Sequence, residues 1–579
     1  MRRRMPHGSP RGLGSFAGRL RVVETAGEGG SSAGSERAAL LRSVALPLAL
    51  ALLCARSVFR DGYLVQVDIV FGPRPAPVLP GFGAPVSWLQ AAAVEVLGGE
   101  VVGKVYAVGA LFLAGFAPML LFRRARWYAQ CVAGLLGTLN PWVYDRMVEG
   151  QWGVVVAASG LFLWLAAWES LQARPGFARA VLLAVCGAVI TAFDPHALGL
   201  VAVLTIVAAL WQRLWRERDR LRWTAASMAM LAVLLLYGVV QFFAGRHSGS
   251  YAAVRQFTRA DFEFFRSVAS DDYGLAVNLL GLYGYWGERV GRFPLANEGA
   301  EWWPVATAVI VGAALLGAWL RRSRAWLLIV GLLGLGLSAS TALPGGVDAA
   351  VWLSSRVPLV SAYREPQKWS ALWLLAVVTL SAGAVEALAA SSAGSRRSPG
   401  PALALAWALA VAALAPAGSS QLRTLPTLVK PVRYPDYWNA TAAFLERSVP
   451  PDNRIAVLPW HLYQPLRATE GRLASNPAPV FFPGRLTVPR NIEIPGRATE
   501  ITSKFDRIGL AAARERSSRC ALARSLRALG IRWVLVLDGA ESAETMLRLQ
   551  QCGFSLVEGR PGFTGVLRDL ARERGTRPE

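Results

Sequence analysis

Two aspartates, Asp61 and Asp68, follow closely on the first apolar run of the chain, in the segments Arg60-Asp61-Gly62-Tyr63 and Val67-Asp68-Ile69-Val70-Phe71-Gly72-Pro73. A carboxylate placed between an apolar run and a membrane–water interface suits general-base work, because partial loss of hydration raises its basicity. The ordinary alternative, a solvated loop acid or a helix cap, fits the same residues. Far along the chain, Tyr363-Arg364-Glu365-Pro366-Gln367-Lys368-Trp369 leads into another apolar run. An arginine with a lysine four residues on is competent to clamp a phosphate or pyrophosphate. The competing explanation is a pair of snorkelling anchors with an Arg364–Glu365 contact.

Three other polar groups interrupt the apolar sequence. Asn140-Pro141-Trp142-Val143-Tyr144-Asp145-Arg146-Met147-Val148-Glu149-Gly150-Gln151-Trp152 is bracketed by tryptophans that suit interfacial anchoring, but Asn140, Asp145, Arg146 and Glu149 exceed what a short reversal needs. Asp194-Pro195-His196 reads as an Asp-Pro turn that carries the only histidine flanked by spans. Tyr283-Gly284-Tyr285-Trp286-Gly287-Glu288-Arg289 sets Tyr285 and Trp286 beside Glu288; rings next to carboxylates are what a sugar-binding surface uses, and an interfacial helix is the alternative. Asp271-Asp272, two adjacent acids without a further spaced ligand, does not make a metal site. Cys54, Cys131 and Cys186 fall in apolar spans as small hydrophobes. Cys520 and Cys552 lie in a polar region, where pairing requires an extracytoplasmic location and spacing does not fix connectivity.

The elements that must position these groups are membrane helices. Of 579 residues, 54% are hydrophobic and 17% charged, and the apolar residues cluster into stretches long enough to cross ~30 Å of hydrocarbon. This excludes a soluble enzyme and a secreted disulfide scaffold. The net charge of +23 lies in short basic runs between the apolar stretches, where it orients the chain, so nucleic acid is not an expected partner. Lysine occurs only at Lys104, Lys368, Lys430 and Lys504; the remaining positive charge is arginine, as in GC-rich bacteria, which points to a bacterial plasma membrane.

Residues 1–38 read as a disordered cytoplasmic tail. Residues 39–417 read as a transmembrane domain of about eleven helices, at 39–58, 105–122, 128–143, 152–170, 178–193, 197–214, 223–244, 303–320, 325–341, 369–390 and 401–417, with outer loops 60–104, 245–302 and 342–368. With the N-terminus inside, Arg123/Arg124/Arg126, Arg174/Arg179, Arg213 to Arg222, Arg321/Arg322/Arg324 and Arg396/Arg397 all fall on the cytoplasmic side. An odd number of spans then places residues 418–579 outside. These read as an α/β domain, with buried strands at Arg454 to Pro459 and Ile531 to Leu537, an amphipathic helix over Ala511 to Leu529, and closing strands near Phe554 to Glu558 and Gly565 to Arg568. Residues Pro85 to Leu97 suit a helix lying along the membrane surface.

An acid and a surface helix in the first outer loop of a polytopic frame resemble the GT-C superfamily of integral membrane glycosyltransferases, in which that loop carries an essential acid. The segments Asn140 to Gln151 and Tyr363 to Trp369 are similar to segments of actinobacterial arabinofuranosyltransferase-like and YfhO-like membrane proteins. The resemblance implies transfer of a sugar from a polyprenyl-phosphate donor to an envelope glycan or lipid acceptor on the outer face. On it, Asp68 is the base, with Asp61 the second candidate; Arg364, Lys368 and Arg146 hold the donor phosphate; Asn140, Asp145, Glu149, Tyr285, Trp286 and Glu288 contact donor or acceptor. No metal or other cofactor is demanded, since arginines neutralise one phosphate. The rival expectation is a non-catalytic transporter or flippase of lipid-linked sugars, or an envelope-assembly scaffold. A transporter usually carries mid-membrane charges and internal repeats, whereas the polar groups here crowd one rim.

Overall fold

The computed structural model describes residues 33–78, 81–244, 257–269, 272–289, 291, 294–295, 301–393, 399–489, 504–514, 520–559 and 563–570. The tail 1–32, much of the 245–302 loop with Asp271, and Arg396/Arg397 lie outside them.

The helical part runs α1 (Ala33–Cys54), α2 (Ala84–Leu97), α3 (Gly99–Leu121), α4 (Trp127–Thr138), α5 (Pro141–Glu149), α6 (Trp152–Ala173), α7 (Phe177–Phe193), α8 (Ala197–Trp211), α9 (Arg218–Ala244), α10 (Trp303–Leu320), α11 (Trp326–Ala339), α12 (Ser370–Ala393) and α13 (Gly400–Ala413). Among the described residues, seven helices are long and apolar enough to span a membrane, and four shorter apolar helices, Leu40–Cys54, Ala84–Leu97, Phe177–Phe193 and Ala197–Trp211, accompany them. Of the eleven expected spans, seven coincide with helices of full spanning length among the described residues. The expected span 128–143 is two helices. Pro141 has no N–H and drives the preceding residue out of the helical region, so Asn140 is extended and caps α5 by accepting from Val143 N at 3.0 Å.

At the centre stands α12, whose Ala, Ser and Gly residues let neighbouring backbones come close. It packs against α10, α11, α4 and α13. A side chain at Gly317 of α10 would sit 1.9 Å from the Leu380 carbonyl oxygen, so that crossing admits only glycine. A second group forms around α6, which packs on α3 and α7, while α1 lies on α3 and α9 on α7. After α13 the chain widens into a π turn at Leu414–Gly418 around Pro416 and continues as short helices. Leu425 and Val429 still belong to the transmembrane core, so the break in packing comes after them and not at 418.

The C-terminal unit is a five-stranded sheet in the order β4-β1-β5-β7-β6, with β1 (Arg454–Leu458), β4 (Arg485–Thr487), β5 (Trp533–Val536), β6 (Phe554–Gly559) and β7 (Gly565–Asp569). Strand β1 runs parallel to β4 and β5; β7 is antiparallel to β5 and β6. The near-continuous apolar runs of β1 and β5 match strands covered on both faces. One face packs on α14 (Asp436–Ser448) through Trp438, the other on α15 (Arg507–Arg514), α16 (Ala521–Ala528) and α17 (Ser542–Gln551) through Ile508, Leu526 and Met546. The single helix expected over 511–529 is thus two, with Cys520 in a left-handed conformation (φ 63°) at the start of the second and joined to Cys552 by a disulfide. A small hairpin, β2 (Tyr463–Pro465) and β3 (Leu473–Ser475), was not foreseen.

The sheet unit grips the loop after α1. Tyr63 pairs with Val432, Tyr434 donates to the Phe71 carbonyl at 2.9 Å, and Arg74 N donates to Val480 O at 2.9 Å. Ser475 binds the carbonyls of Gln66, through its backbone N–H, and of Val67, through its hydroxyl. Val65 is buried in the core of the sheet unit.

Candidate active site

A cavity of about 460 Å³ opens where this loop meets the helix ends. Asp68, Gln151, Arg364, Glu365 and Lys368 line it together with Ser87, Gln90 and Ala91 of α2, Tyr106 of α3, Val154 of α6, Phe193 of α7, Ile69, Phe265, Trp286 and Tyr463.

Asp68 is held by its backbone: its N–H donates to the Glu149 carbonyl at 2.9 Å, at the end of α5. Gln151 Nε2 donates to Asp68 Oδ2 at 2.7 Å and lies 3.3 Å from Glu365 Oε2, while Gln151 Oε1 accepts from Arg146. Glu365 stands amid three cations, 3.5 Å from Arg146 Nη1, 3.6 Å from Arg364 Nη2 and 3.8 Å from Lys368 Nζ. Burial works to raise its carboxyl, but Lys368, Arg364 and Arg146 hold it down at about 2. Asp68 goes the other way: burial and the Glu365 carboxylate lift it, and the Gln151 hydrogen bond with Lys368 and Arg364 only partly oppose them. Two carboxyl groups bridged by one amide are thus driven apart, Glu365 toward its ionised form and Asp68 away from it.

The cations are set by aromatic surfaces and by the α7–α8 turn. Arg364 lies over the Phe257 and Phe265 rings, 4.2 and 5.0 Å from their centroids, and Arg146 lies over Tyr285 at 4.4 Å. His196 Nδ1 is 2.6 Å from Asp194 Oδ1 and 3.3 Å from Lys368 Nζ, and its Nε2 meets the Ala362 carbonyl. Burial would raise Asp194, yet His196 and Lys368 hold it well below the carboxylate range. Tyr363 adds a clamp by donating to His196 O and accepting from Gly199 N, both at 3.1 Å.

Of the residues singled out in the sequence, Asp68, Arg364, Lys368 and Trp286 line the cavity. Arg146 is buried behind Gln151, and its Nε and Nη2 have no hydrogen-bond partner among the described residues. Glu149 reaches the loop through its backbone oxygen. Five others lie elsewhere, for physical reasons. Asp61 is 79% exposed and pairs with Arg433 at 2.6 Å on the outside of the sheet unit. Asn140 spends its polar atoms on the cap and on the Leu136 and Gly137 carbonyls. Asp145 and Glu288 lie together beneath the site, where burial and Glu288 push Asp145 well above its usual range against the pull of Arg146. Tyr285 is the platform under Arg146. Gln151, Glu365, Asp194 and His196 form the network without having been assigned a role; their signal was polar residues placed at the ends of apolar spans. Among the described residues no group of three His, Cys, Asp or Glu is arranged to hold a metal ion.

No protein-family model and no curated protein matches the sequence. Solved structures do match. The arabinofuranosyltransferase AftD from Mycobacteria superposes with a TM-score of 0.59 at 17% identity, over 92% of this chain and 40% of that one. ArnT from Cupriavidus metallidurans in the apo state gives 0.47 at 11% identity, over 93% and 94% of the two chains. The oligosaccharyltransferase AglB from Archaeoglobus fulgidus gives 0.42 at 12%, over 93% and 74%. This chain therefore spans well under half the length of the AftD structure it matches. These proteins are GT-C superfamily membrane glycosyltransferases, and on the AftD likeness the fold of this chain is the GT-C fold.

Proposed function

We propose that the protein is a membrane glycosyltransferase that moves a sugar from a polyprenyl-phosphate donor to an envelope glycan or lipid acceptor on the outer face of a bacterial plasma membrane. The observation that carries this reading is one cavity in which Asp68, bridged by Gln151 to Glu365, shares a polar cluster with the Arg364 and Lys368 cations that flank Glu365. A cavity that joins the Asp68, Arg364, Glu365 and Lys368 side chains to apolar ones such as Ile69, Val154 and Phe193 suits a ligand with a charged head and a hydrocarbon part. The likeness to the fold of an arabinofuranosyltransferase supports sugar transfer.

On this reading the acceptor hydroxyl attacks the anomeric carbon while Asp68 takes its proton. The new C–O bond forms as the bond from that carbon to the phosphate oxygen breaks. Arg364 and Lys368 stabilise the charge that gathers on the departing phosphate. Trp286 packs on a sugar ring, and Arg146 acts from behind through Gln151 and Glu365.

Asp68→Asn keeps shape but not basicity, so turnover should fall by about 10²-fold or more while donor binding survives. Arg364→Ala should weaken donor binding by about 1.5–3 kcal/mol, the worth of a charge-assisted contact. Asp61→Asn should change neither. The measurement is turnover and donor binding, made separately with a polyprenyl-phosphate sugar; normal turnover in Asp68→Asn would overturn the mechanism.

A further inference from the structure

Gln151 stands between the two carboxyl groups of the cavity, and the mechanism above gives it no role toward the base. Its side-chain oxygen faces Arg146, a group that only donates, and this fixes which way the amide points. The nitrogen must then face the carboxylates, and it does, at 2.7 Å from Asp68 Oδ2 and 3.3 Å from Glu365 Oε2. The backbone holds this geometry from both sides, since Gln151 N donates to Arg146 O at 2.8 Å and Asp68 N donates to Glu149 O at 2.9 Å. Base and amide therefore hang from the same short helix, α5.

We propose that Gln151 is a positioning residue for the base: it engages Asp68 through Oδ2 and leaves Oδ1 to receive the acceptor's proton. The inference rests on the reading of Asp68 as that base. The charged and titratable groups that act on Asp68 are Glu365, which opposes its ionisation, Lys368 and Arg364, which favour it, and the Tyr285 hydroxyl, itself pushed up by burial. Gln151 differs from them in acting through a directed hydrogen bond, which favours the ionised form.

Gln151→Leu removes the donor, and Gln151→Glu replaces it with a third carboxylate beside Asp68 and Glu365. Asp68 should then take its proton at higher pH. The acid limb of kcat/KM should move up by about one pH unit in Gln151→Leu, the worth of one hydrogen bond to a charged group, and further in Gln151→Glu. Donor KM should change little. A reading independent of turnover is the infrared carboxyl band of protonated Asp68, identified by its loss in Asp68→Asn and followed against pH on the purified protein. Its midpoint should rise in the same order, and Gln151→Glu reports even if the leucine variant does not fold. If turnover falls while limb and band midpoint stay in place, Gln151 is structural only and the proposal is wrong. If the wild-type protein transfers no sugar, the proposed function fails, and the infrared midpoint still decides whether Gln151 sets the ionisation of Asp68.

Discussion

Glu365 is the residue on which the charge balance of the cavity turns. Its carboxylate is the shared partner of Arg146, Arg364 and Lys368, and its side chain is only 8% exposed. Removing one member of a buried ionic group leaves the others desolvated and uncompensated, at a cost of about 3–5 kcal/mol. Glu365→Gln should therefore lower stability by about that amount at neutral pH. The sign of the pH dependence follows from a carboxyl held down at about 2: its contribution is complete above the unfolded value of about 4.5 and is lost as pH falls through about 2. The stability gap between wild type and Glu365→Gln should thus close in acid. Thermal unfolding of both proteins at neutral and acidic pH checks this, and a gap that does not depend on pH would refute it. The same scale shows what sequence can and cannot resolve. Asp61 and Asp68 have the same chemistry and both follow closely on the first apolar run, and nothing local separates them. They part only because the loop pairs with Val432 and Ser475, which no local pattern encodes. Asn140 was expected at the ligand and within a span over 128–143, whereas it caps α5, the role that an Asn-Pro pair before a helix commonly takes.

At the scale of elements, the site is assembled by chain breaks at helix ends. The 139–151 segment leaves α4 at Asn140-Pro141, forms α5, and turns back at Gly150 into α6. Gly150 has φ 84°, and a β-carbon there would sit 2.8 Å from Gln66 Cβ and 2.9 Å from Ile69 Cγ2. Gly150→Ala should therefore strain the turn by about 1–3 kcal/mol and displace the loop that carries Asp68. The expected result is a loss of turnover with donor binding largely kept, because Arg364 and Lys368 lie on another segment; unchanged turnover would show that the loop is not seated on α5. The helices themselves were readable from hydropathy, but their ends were not. Pro141 splits one expected span, Pro416 widens the end of another, and α7 and α8 fall short of full spanning length. A window average does not see such interruptions, and these interruptions are where the polar side chains stand.

For the molecule as a whole, the polar network gathers at one end of the helices and the basic turns at the other. The ends of α4 and α7 and the starts of α6, α8 and α12 supply the site. The opposite turns, α3–α4, α6–α7, α8–α9 and α10–α11, carry Arg123, Arg124, Arg174, Arg216, Arg220 and Arg322. The sheet unit docks at the site end, through the Asp68 loop and Tyr463, and it holds the Cys520–Cys552 disulfide. A disulfide persists in an oxidising compartment, and basic turns stay in the cytoplasm. The outer-face reading proposed above requires both to hold at once, with the cavity outside. A cysteine placed at Glu446, 67% exposed on α14 of the sheet unit, should react with a membrane-impermeant reagent in intact cells, whereas one placed at Arg124 should react only after lysis. The reverse pattern would put the cavity in the cytoplasm and remove the outer-face acceptor along with it.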